Sequence, residues 1–109
     1  MIGRSWGCRV PLAHAAGFHR HLLATGVADY RRQPGCLDVQ LWRRDADGWA
    51  SFLLLSTWRD LDAIRGYAGD TPEVAVLYPE DDAFGLVSDR FVTHYDIVST
   101  EPAELEEAP

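Results

Sequence analysis

Two side chains near the end of the chain have the residue types and the spacing for acid–base chemistry. His94 and Asp96 stand two residues apart in a segment of strand-like composition, so both side chains are expected to point to the same face of a sheet. An unperturbed histidine has a pKa of about 6.5, which suits a general base near neutral pH. We therefore predict His94 as the base and Asp96 as a group that orients it or keeps it charged. The alternative that stays open is a histidine hydrogen-bonded at an interface with a second copy of the chain.

Aromatic and apolar side chains form a second group of candidates, which would hold an aromatic ligand. Trp58 follows a long apolar run, where an indole ring can either wall a pocket or fill the core. His14 and His21 stand seven residues apart on a predicted helix, whereas two metal ligands on one helix prefer a spacing of about three or four. No metal site is therefore expected. The predicted substrate-binding residues are Trp58, Phe18, His14, His21, Leu54, Tyr67 and Tyr95.

Composition excludes several kinds of chemistry. All ten basic residues of the 109 are arginine, so a lysine Schiff base is excluded, and Arg43 or Arg90 is the candidate clamp for an acidic substrate. The arginine bias is typical of a GC-rich, bacterial genome. The net charge is −7 with four acids in the last nine residues, and no dense basic patch is left to bind nucleic acid. The sequence also lacks a phosphate-binding glycine loop, a nucleophile elbow and an HExxH motif.

The pattern of apolar and polar residues predicts four strands and two helices. Asp47-Gly48 predicts a hairpin turn, and Thr57 is the predicted N-cap of the second helix. Residues 70–89 are predicted to be mostly loop, with a short helical stretch at 73–77. The predicted strands are 3–10, 36–44, 49–57 and 90–98, and the predicted helices are 12–30 and 58–68.

The unbroken apolar run Phe52–Leu55 decides the expected architecture. A strand that is apolar on both sides should be buried on both sides, and one layer of helices covers only one face. The order β-α-β-β-α-β is the split βαβ, or ferredoxin-like, α+β pattern, with a four-stranded antiparallel sheet and two helices on one face. We predict that a second copy covers the other face, which makes a homodimer of the dimeric α+β barrel type. An apolar small-molecule pocket is expected between sheet and helices.

The domain organisation is predicted to be simple. Residues 1–98 form one domain, and residues 99–109 form an acidic tail rich in proline and glutamate that is expected to be disordered. Cys8 and Cys36 are expected to be reduced thiols, with a disulfide between neighbouring strands as the alternative. No signal peptide and no apolar run of about 20 residues is visible. A cytoplasmic protein without membrane contact is the expectation.

Several short motifs follow one another along residues 4–98. They are Pro34-Gly35-Cys36, Leu41-Trp42-Arg43-Arg44, Ser56-Thr57-Trp58, Tyr67-Ala68-Gly69-Asp70, Val74-Ala75-Val76, Tyr78-Pro79-Glu80-Asp81-Asp82 and His94-Tyr95-Asp96-Ile97-Val98. In this order and spacing they resemble the antibiotic biosynthesis monooxygenase family of the dimeric α+β barrel superfamily. The resemblance implies a dimeric barrel with a ligand pocket in each subunit. The resemblance does not imply one particular reaction, because relatives include cofactor-free oxygenases of polyketide quinols, haem-degrading oxygenases and non-oxidative isomerases.

The sequence departs from the patterns of two groups of relatives, and these departures bear on which cofactor and reaction are expected. Haem-degrading relatives carry an axial histidine after the second helix and an asparagine on the first strand. The stretch Thr71–Leu77 has no histidine and the first predicted strand has no asparagine, so haem is disfavoured and no cofactor is expected. Quinol-oxidising relatives place an amide four residues before the family tryptophan and a tyrosine six residues after it. Here those positions hold Leu54 and Ile64, and only Trp58 matches.

The expected function is that of a cofactor-independent monooxygenase or oxidase acting on an aromatic, polyketide- or quinol-like substrate in secondary metabolism. One alternative is a non-oxidative isomerase, cyclase or lyase that acts on a natural-product intermediate. Another is a non-catalytic ligand-binding or stress-response module. The expected partners are a hydrophobic aromatic small molecule and a second copy of the chain.

Overall fold

Three long antiparallel strands form the centre of the structure, a computed structural model that describes residues 1–102. Two short strands, β4 and β5, pair with successive stretches of the outer edge of β1, so the sheet order is β2-β3-β1 with β4 and β5 both next to β1. Every strand pair is antiparallel, and the ferredoxin-like α+β prediction is confirmed. The strands are β1 Ile2–Pro11, β2 Cys36–Ala46, β3 Trp49–Trp58, β4 Val87–Ser88 and β5 Thr93–Asp96.

The fourth predicted strand, 90–98, is shortened to β5, and the additional short strand β4 precedes the predicted range, so residues 1–102 contain five strands rather than four. β4 pairs with Cys8 and Arg9, and β5 pairs with the stretch from Ile2 to Ser5. Between β4 and β5 the backbone bonds elsewhere: Val92 N donates to Glu73 O at 2.9 Å, and Ala75 N donates to Arg90 O at 2.9 Å. The prediction of one continuous strand over 90–98 is therefore wrong, because the loop before it competes for the same backbone groups.

The β2–β3 hairpin turns at Asp47-Gly48, as predicted. Both residues have positive φ angles, 56° and 82°, which a type I′ turn requires and which aspartate and glycine tolerate. Side chains of β3 then alternate between the two faces of the sheet. Phe52 and Leu54 are buried beneath the helices, whereas Leu53 and Leu55 lie on the other side, where Leu53 is 36% exposed. We call these two sides the helix face and the open face.

The first helical segment, predicted as one helix over 12–30, changes its hydrogen-bonding pattern along its length. A 3₁₀ turn at Leu12–His14 leads into α1, Ala15–Leu22, a π turn follows at Leu23–Val27, and α2 spans Ala28–Arg32. Within the π turn the Thr25 hydroxyl donates to the His21 carbonyl at 2.9 Å. Such a side-chain bond to the preceding turn competes with the regular helical ladder.

The second predicted helix begins later than expected. The extended backbone of β3 continues through Trp58, and α3 spans Leu61–Ala68. Its N-cap is Asp60, whose carboxylate accepts a hydrogen bond from Ala63 N at 2.8 Å, so the prediction of Thr57 as the cap was wrong. Gly69, with a φ of 78°, ends the helix.

The core lies between the helix face of the sheet and the helices. The segment after α3 closes one end of it with a 3₁₀ turn at Pro79–Phe84, while the helical stretch predicted at 73–77 is absent. Within residues 1–102, no helix has the length and apolar composition needed to cross a membrane. Most of the predicted acidic tail, from residue 103 onward, lies outside the described residues. The core side chains include Trp6, Val10, Phe18, Leu22, Tyr30, Phe52, Leu54, Trp58 and Ile64.

Candidate active site

A buried arginine that the sequence analysis did not select lies between the sheet and the helices. Arg4, on the helix face of β1, is 2% exposed. Its Nε donates to Tyr30 Oη at 3.1 Å, and its Nη1 donates to Pro72 O at 2.5 Å and to His94 Nε2 at 2.8 Å. Its Nη2 is buried and has no hydrogen-bond partner in the part of the chain that the structure describes.

The charge of Arg4 is also unmatched by any anion within residues 1–102. The ion pairs of that part of the chain all involve other residues. A guanidinium group keeps its positive charge at any physiological pH, and burying a charge without a counter-charge is costly. The free energy lost in burying Arg4 can therefore be recovered in part when an anionic group binds beside Nη2.

Arg4 borders a small cavity that is apolar on most sides. The space that a water centre can occupy there is about 10 Å³, which is about enough for one water molecule. An aromatic ligand therefore needs side chains around the cavity to move apart. The walls are Trp6, Leu22, Leu54, Val76 and Val92, and the polar groups are Arg4, Tyr30, Tyr67, Tyr78 and Asp81.

His94 lies directly across from Arg4 in the β1–β5 pair. Because an arginine only donates hydrogen bonds, Nε2 of His94 must accept, so the imidazole is neutral and carries its proton on Nδ1. Burial lowers the pKa of His94, and the nearby charge of Arg4 lowers it further. Asp96 points to the same side of the sheet but is exposed, and it makes no hydrogen bond to His94. The structure thus uses the lone pair of His94 to hold Arg4.

A chain of hydroxyl groups leads away from the cavity. Tyr78 Oη donates to Asp29 Oδ2 at 2.5 Å, and Tyr67 Oη lies 3.2 Å from Tyr78 Oη. Burial raises the pKa of Tyr67 to about 12, and burial followed by the Asp29 hydrogen bond raises the pKa of Tyr78. Both phenols are therefore neutral near neutral pH.

A histidine–carboxylate contact holds the 3₁₀ turn over the cavity. His21 Nε2 lies 2.6 Å from Asp81 Oδ1, and both side chains are largely buried. The other oxygen of Asp81 accepts a hydrogen bond from Tyr78 N at 2.8 Å. The Phe84 ring packs on the His21 ring, with their centroids 5.0 Å apart. These contacts connect α1 to the segment that closes the cavity.

The substrate-binding residues predicted from sequence are spread over several environments. Leu54 and Tyr67 line the cavity, and His21 contacts it through Asp81. Trp58 is fully buried next to Tyr30, with ring centroids 5.4 Å apart. The remaining three lie away from the cavity: Phe18 is buried against Phe52 and Phe84, His14 is exposed on the helical layer, and Tyr95 is 61% exposed on the open face.

Sequence reasoning missed Arg4, although a signal was present. Arg4, Trp6, Cys8 and Val10 occupy every second position of β1, so their side chains point to the same face of the sheet. A charged residue on the same face of a strand as three core residues must also point into the core. Its bonding partners Tyr30, Pro72 and His94 are distant along the chain, so no local pattern could identify them.

Comparison with protein-family models assigns the chain to a family. Residues 8–72 match the family model described as Antibiotic biosynthesis monooxygenase. No curated protein matches the chain in sequence. The family match supports a small-molecule enzyme of this type.

Several solved structures share the fold. One is a Deinococcus radiodurans protein provisionally assigned as an antibiotic biosynthesis monooxygenase, which is 18% identical with a TM-score of 0.68, over 95% of this chain and 99% of that one. A mutant of MhuD with two manganese protoporphyrin IX groups bound per active site is 15% identical with a TM-score of 0.65, over 94% of this chain and 100% of that one. A mutant of SnoaB, a cofactor-independent oxygenase from Streptomyces nogalater, is 20% identical with a TM-score of 0.61, over 93% of this chain and 98% of that one.

Proposed function

Because the chain belongs to the antibiotic biosynthesis monooxygenase family, we propose that it is a cofactor-independent monooxygenase or oxidase of a hydroxyaromatic substrate. The substrate would be polyketide- or quinol-like and part of secondary metabolism. The observation that carries this proposal is that Arg4, which lines an apolar cavity, has a buried Nη2 atom without a hydrogen-bond partner among residues 1–102. Such a site favours a ligand that combines an apolar ring with one anionic oxygen.

The proposed role of Arg4 is to stabilise the substrate as its anion. A phenolate or enolate oxygen beside Nη2 would complete the hydrogen bonding of the guanidinium and neutralise its charge. Trp6, Leu54 and Val92 would cover the ring and keep water away from the anion. His94 acts in this proposal as a positioning residue, because its Nε2 holds Nη1 of Arg4.

An anion of this kind supplies the electrons for the reaction with O₂. In a substrate with a methylene group activated by adjacent rings, the methylene carbon loses both hydrogens and is oxidised to a carbonyl group. One oxygen atom of O₂ enters the product and the other leaves as water, so no external reductant is required. A quinol would instead lose two protons and two electrons, and O₂ would become hydrogen peroxide. The proposal therefore includes no haem, flavin or metal, in keeping with the absence of histidine from Thr71–Leu77.

A second copy of the chain is the proposed partner on the open face. This face presents exposed apolar side chains, among them Trp42 at 56%, Leu53 at 36% and Tyr95 at 61%. It is also self-complementary in charge, because Arg44 lies near one end of β2 and Asp38 near the other. A twofold axis that reverses the strand direction would bring these opposite charges together.

Oxygen uptake by the purified protein tests the proposed function. The protein is treated with a chelator and offered a panel of anthrones, naphthols and quinols, and O₂ consumption and incorporation of labelled oxygen are followed. We expect uptake by the wild type, its loss in Arg4→Met, and its retention in Arg31→Met, which alters an exposed arginine of α2. Turnover that persists without O₂ would instead indicate a non-oxidative isomerase or lyase. Binding without turnover across the panel would indicate a ligand-binding module.

A further inference from the structure

We propose that Tyr67, Tyr78 and Asp29 form a proton relay that carries the substrate's hydroxyl proton from the cavity to solvent. The inference rests on the proposed function and adds the route by which the anion beside Arg4 is generated. Its basis is the direction of two consecutive hydrogen bonds, together with the positions of their two ends.

The direction follows from what each group can donate. A carboxylate only accepts hydrogen bonds, so the hydroxyl hydrogen of Tyr78 is committed to Asp29 Oδ2. In the contact between the two phenols, Tyr67 must then be the donor and Tyr78 the acceptor. Both hydrogens point outward, and the remaining lone pairs of Tyr67 are free to accept a hydrogen bond from a ligand hydroxyl.

The inner end of this chain lies beside the proposed anion site. Tyr67 and Arg4 line the same cavity. The Tyr67 ring packs on the Tyr30 ring, with centroids 4.6 Å apart, and Tyr30 Oη accepts from Nε of Arg4. A hydroxyaromatic ring in this cavity would therefore have Arg4 available to its oxygen and Tyr67 available to its hydroxyl hydrogen.

The outer end reaches solvent. The Asp29 side chain is 32% exposed, and its other oxygen, Oδ1, pairs with Arg32 Nη1 at 2.6 Å on the protein surface. His94 offers no equivalent route, because its accepting nitrogen is already occupied by Arg4. Asp81 accepts from His21 and from a backbone N–H and is not bonded to either phenol.

The proton balance is complete without any other reactant. The substrate hydroxyl proton passes to Tyr67 Oη, the Tyr67 hydrogen passes to Tyr78 Oη, and the Tyr78 hydrogen passes to Asp29 Oδ2. Asp29 then releases a proton to water. Both phenols are again neutral, no electrons have moved, and the substrate remains as an anion beside Arg4. Burial raises the pKa of both tyrosines, which favours a concerted shift over a tyrosinate intermediate.

Stopped-flow ionisation of a bound nitrophenol tests the relay without requiring turnover. 4-Nitrophenol is mixed with the protein at a pH below the probe's own pKa, and the visible band of the nitrophenolate is followed together with proton release to an indicator dye. General acid–base groups contribute on the order of 10²–10⁴-fold to rates. We therefore expect Tyr67→Phe, Tyr78→Phe and Asp29→Asn to slow ionisation at least tenfold, and Asp29→Asn, which alters a residue outside the cavity wall, to leave the final amount of nitrophenolate nearly unchanged.

Two controls separate a relay from a structural role. Asp62→Asn removes a surface carboxylate that also pairs with an arginine three residues later on a helix, and it should ionise the probe at the wild-type rate. Added formate should restore the rate in Asp29→Asn, because a small carboxylate can replace the missing acceptor. Wild-type rates in all three relay variants would overturn the relay alone. Absence of nitrophenolate in the wild type would overturn the proposed anion site and the relay together.

Discussion

Replacement of Arg4 by methionine should shift the ionisation of a bound phenol by a predictable amount. An oxygen that accepts a hydrogen bond from Nη2 lies about 4 Å from the centre of the guanidinium charge, where two unit charges interact by about 4 kcal/mol at an effective dielectric constant of about 20. One pKa unit corresponds to about 1.36 kcal/mol. The pKa of the bound phenol should therefore be about 3 units higher in Arg4→Met than in the wild type.

The difference between the two proteins isolates the contribution of Arg4. Burial of the phenolate raises its pKa in both proteins, so this effect cancels in the comparison. The assay is a pH titration of the visible absorption of bound 4-nitrophenol in the wild type, in Arg4→Met and in the exposed-site control Arg31→Met. A difference of less than about one unit between wild type and Arg4→Met would refute the reasoning.

The Arg4→Met protein itself should remain folded. The substitution removes three hydrogen bonds but also removes a buried charge that has no anionic partner within residues 1–102. Replacement of a whole buried ion pair by apolar residues of similar volume is often neutral or stabilising by about 1–4 kcal/mol, and we expect removal of the lone buried charge of Arg4 to act in the same direction. Urea denaturation of the two ligand-free proteins should therefore show a similar or slightly higher midpoint for the variant, and a collapse of cooperativity would contradict this expectation.

Three further predictions follow from the fold. Because the pKa of His94 is lowered on folding, its stabilising contribution is present above the unfolded value of about 6.5 and is lost as the pH falls below that value and through the lower folded pKa. The stability advantage of wild type over His94→Gln, measured by denaturation, should therefore shrink between about pH 7 and pH 5; a constant difference would contradict the neutral imidazole. A Cβ on Gly35 would lie 2.2 Å from the Cβ of Ala63, so Gly35→Ala should destabilise by about 1–3 kcal/mol. Gly66→Ala, in the α3 interior with only an ordinary contact, should stabilise by about 0.5–1 kcal/mol, and equal effects in the two variants would refute this packing. Leu53→Glu on the open face should convert a dimer to monomers in sedimentation velocity, whereas Leu23→Glu on the helical layer should not; a wild type that is monomeric at high concentration would remove the proposed interface.

Local patterns were sufficient for much of the architecture. The Asp47-Gly48 turn, the alternation along β1 to β3 and the glycine that ends α3 each depend on a few adjacent residues, because backbone sterics and side-chain periodicity act over that range. The errors in the predicted strand and helix bounds occurred where a segment distant along the chain forms hydrogen bonds with the backbone. The backbone of Glu73 and Ala75 interrupts the edge strand, and the hydrogen bond from Arg59 N to Gly35 O extends the chain past Trp58 before α3 begins.

The candidate site was less accessible to sequence reasoning. Tyr67 and Leu54 were predicted to contact a ligand and do line the cavity, whereas Tyr95, assigned to the same pocket, lies on the opposite face of the sheet. The two adjacent strand positions 94 and 95 illustrate the difficulty. Period-two alternation places them on opposite faces, but it does not say which face carries the helices.

The Asp47-Gly48 turn, the family and the alternation that places Arg4 on the same face of β1 as Trp6, Cys8 and Val10 are thus properties that the amino-acid sequence alone specifies, since each depends on residue type and short-range periodicity. The partners of Arg4 come from positions 30, 72 and 94, and the hydroxyl chain joins positions 29, 67 and 78. Hydrogen bonds act only over about 3 Å, so which of these polar groups meet is decided by the packing of helices and loop on the sheet. Tertiary packing, and not any motif, therefore leaves one nitrogen of a buried arginine without a partner among the residues that the structure describes.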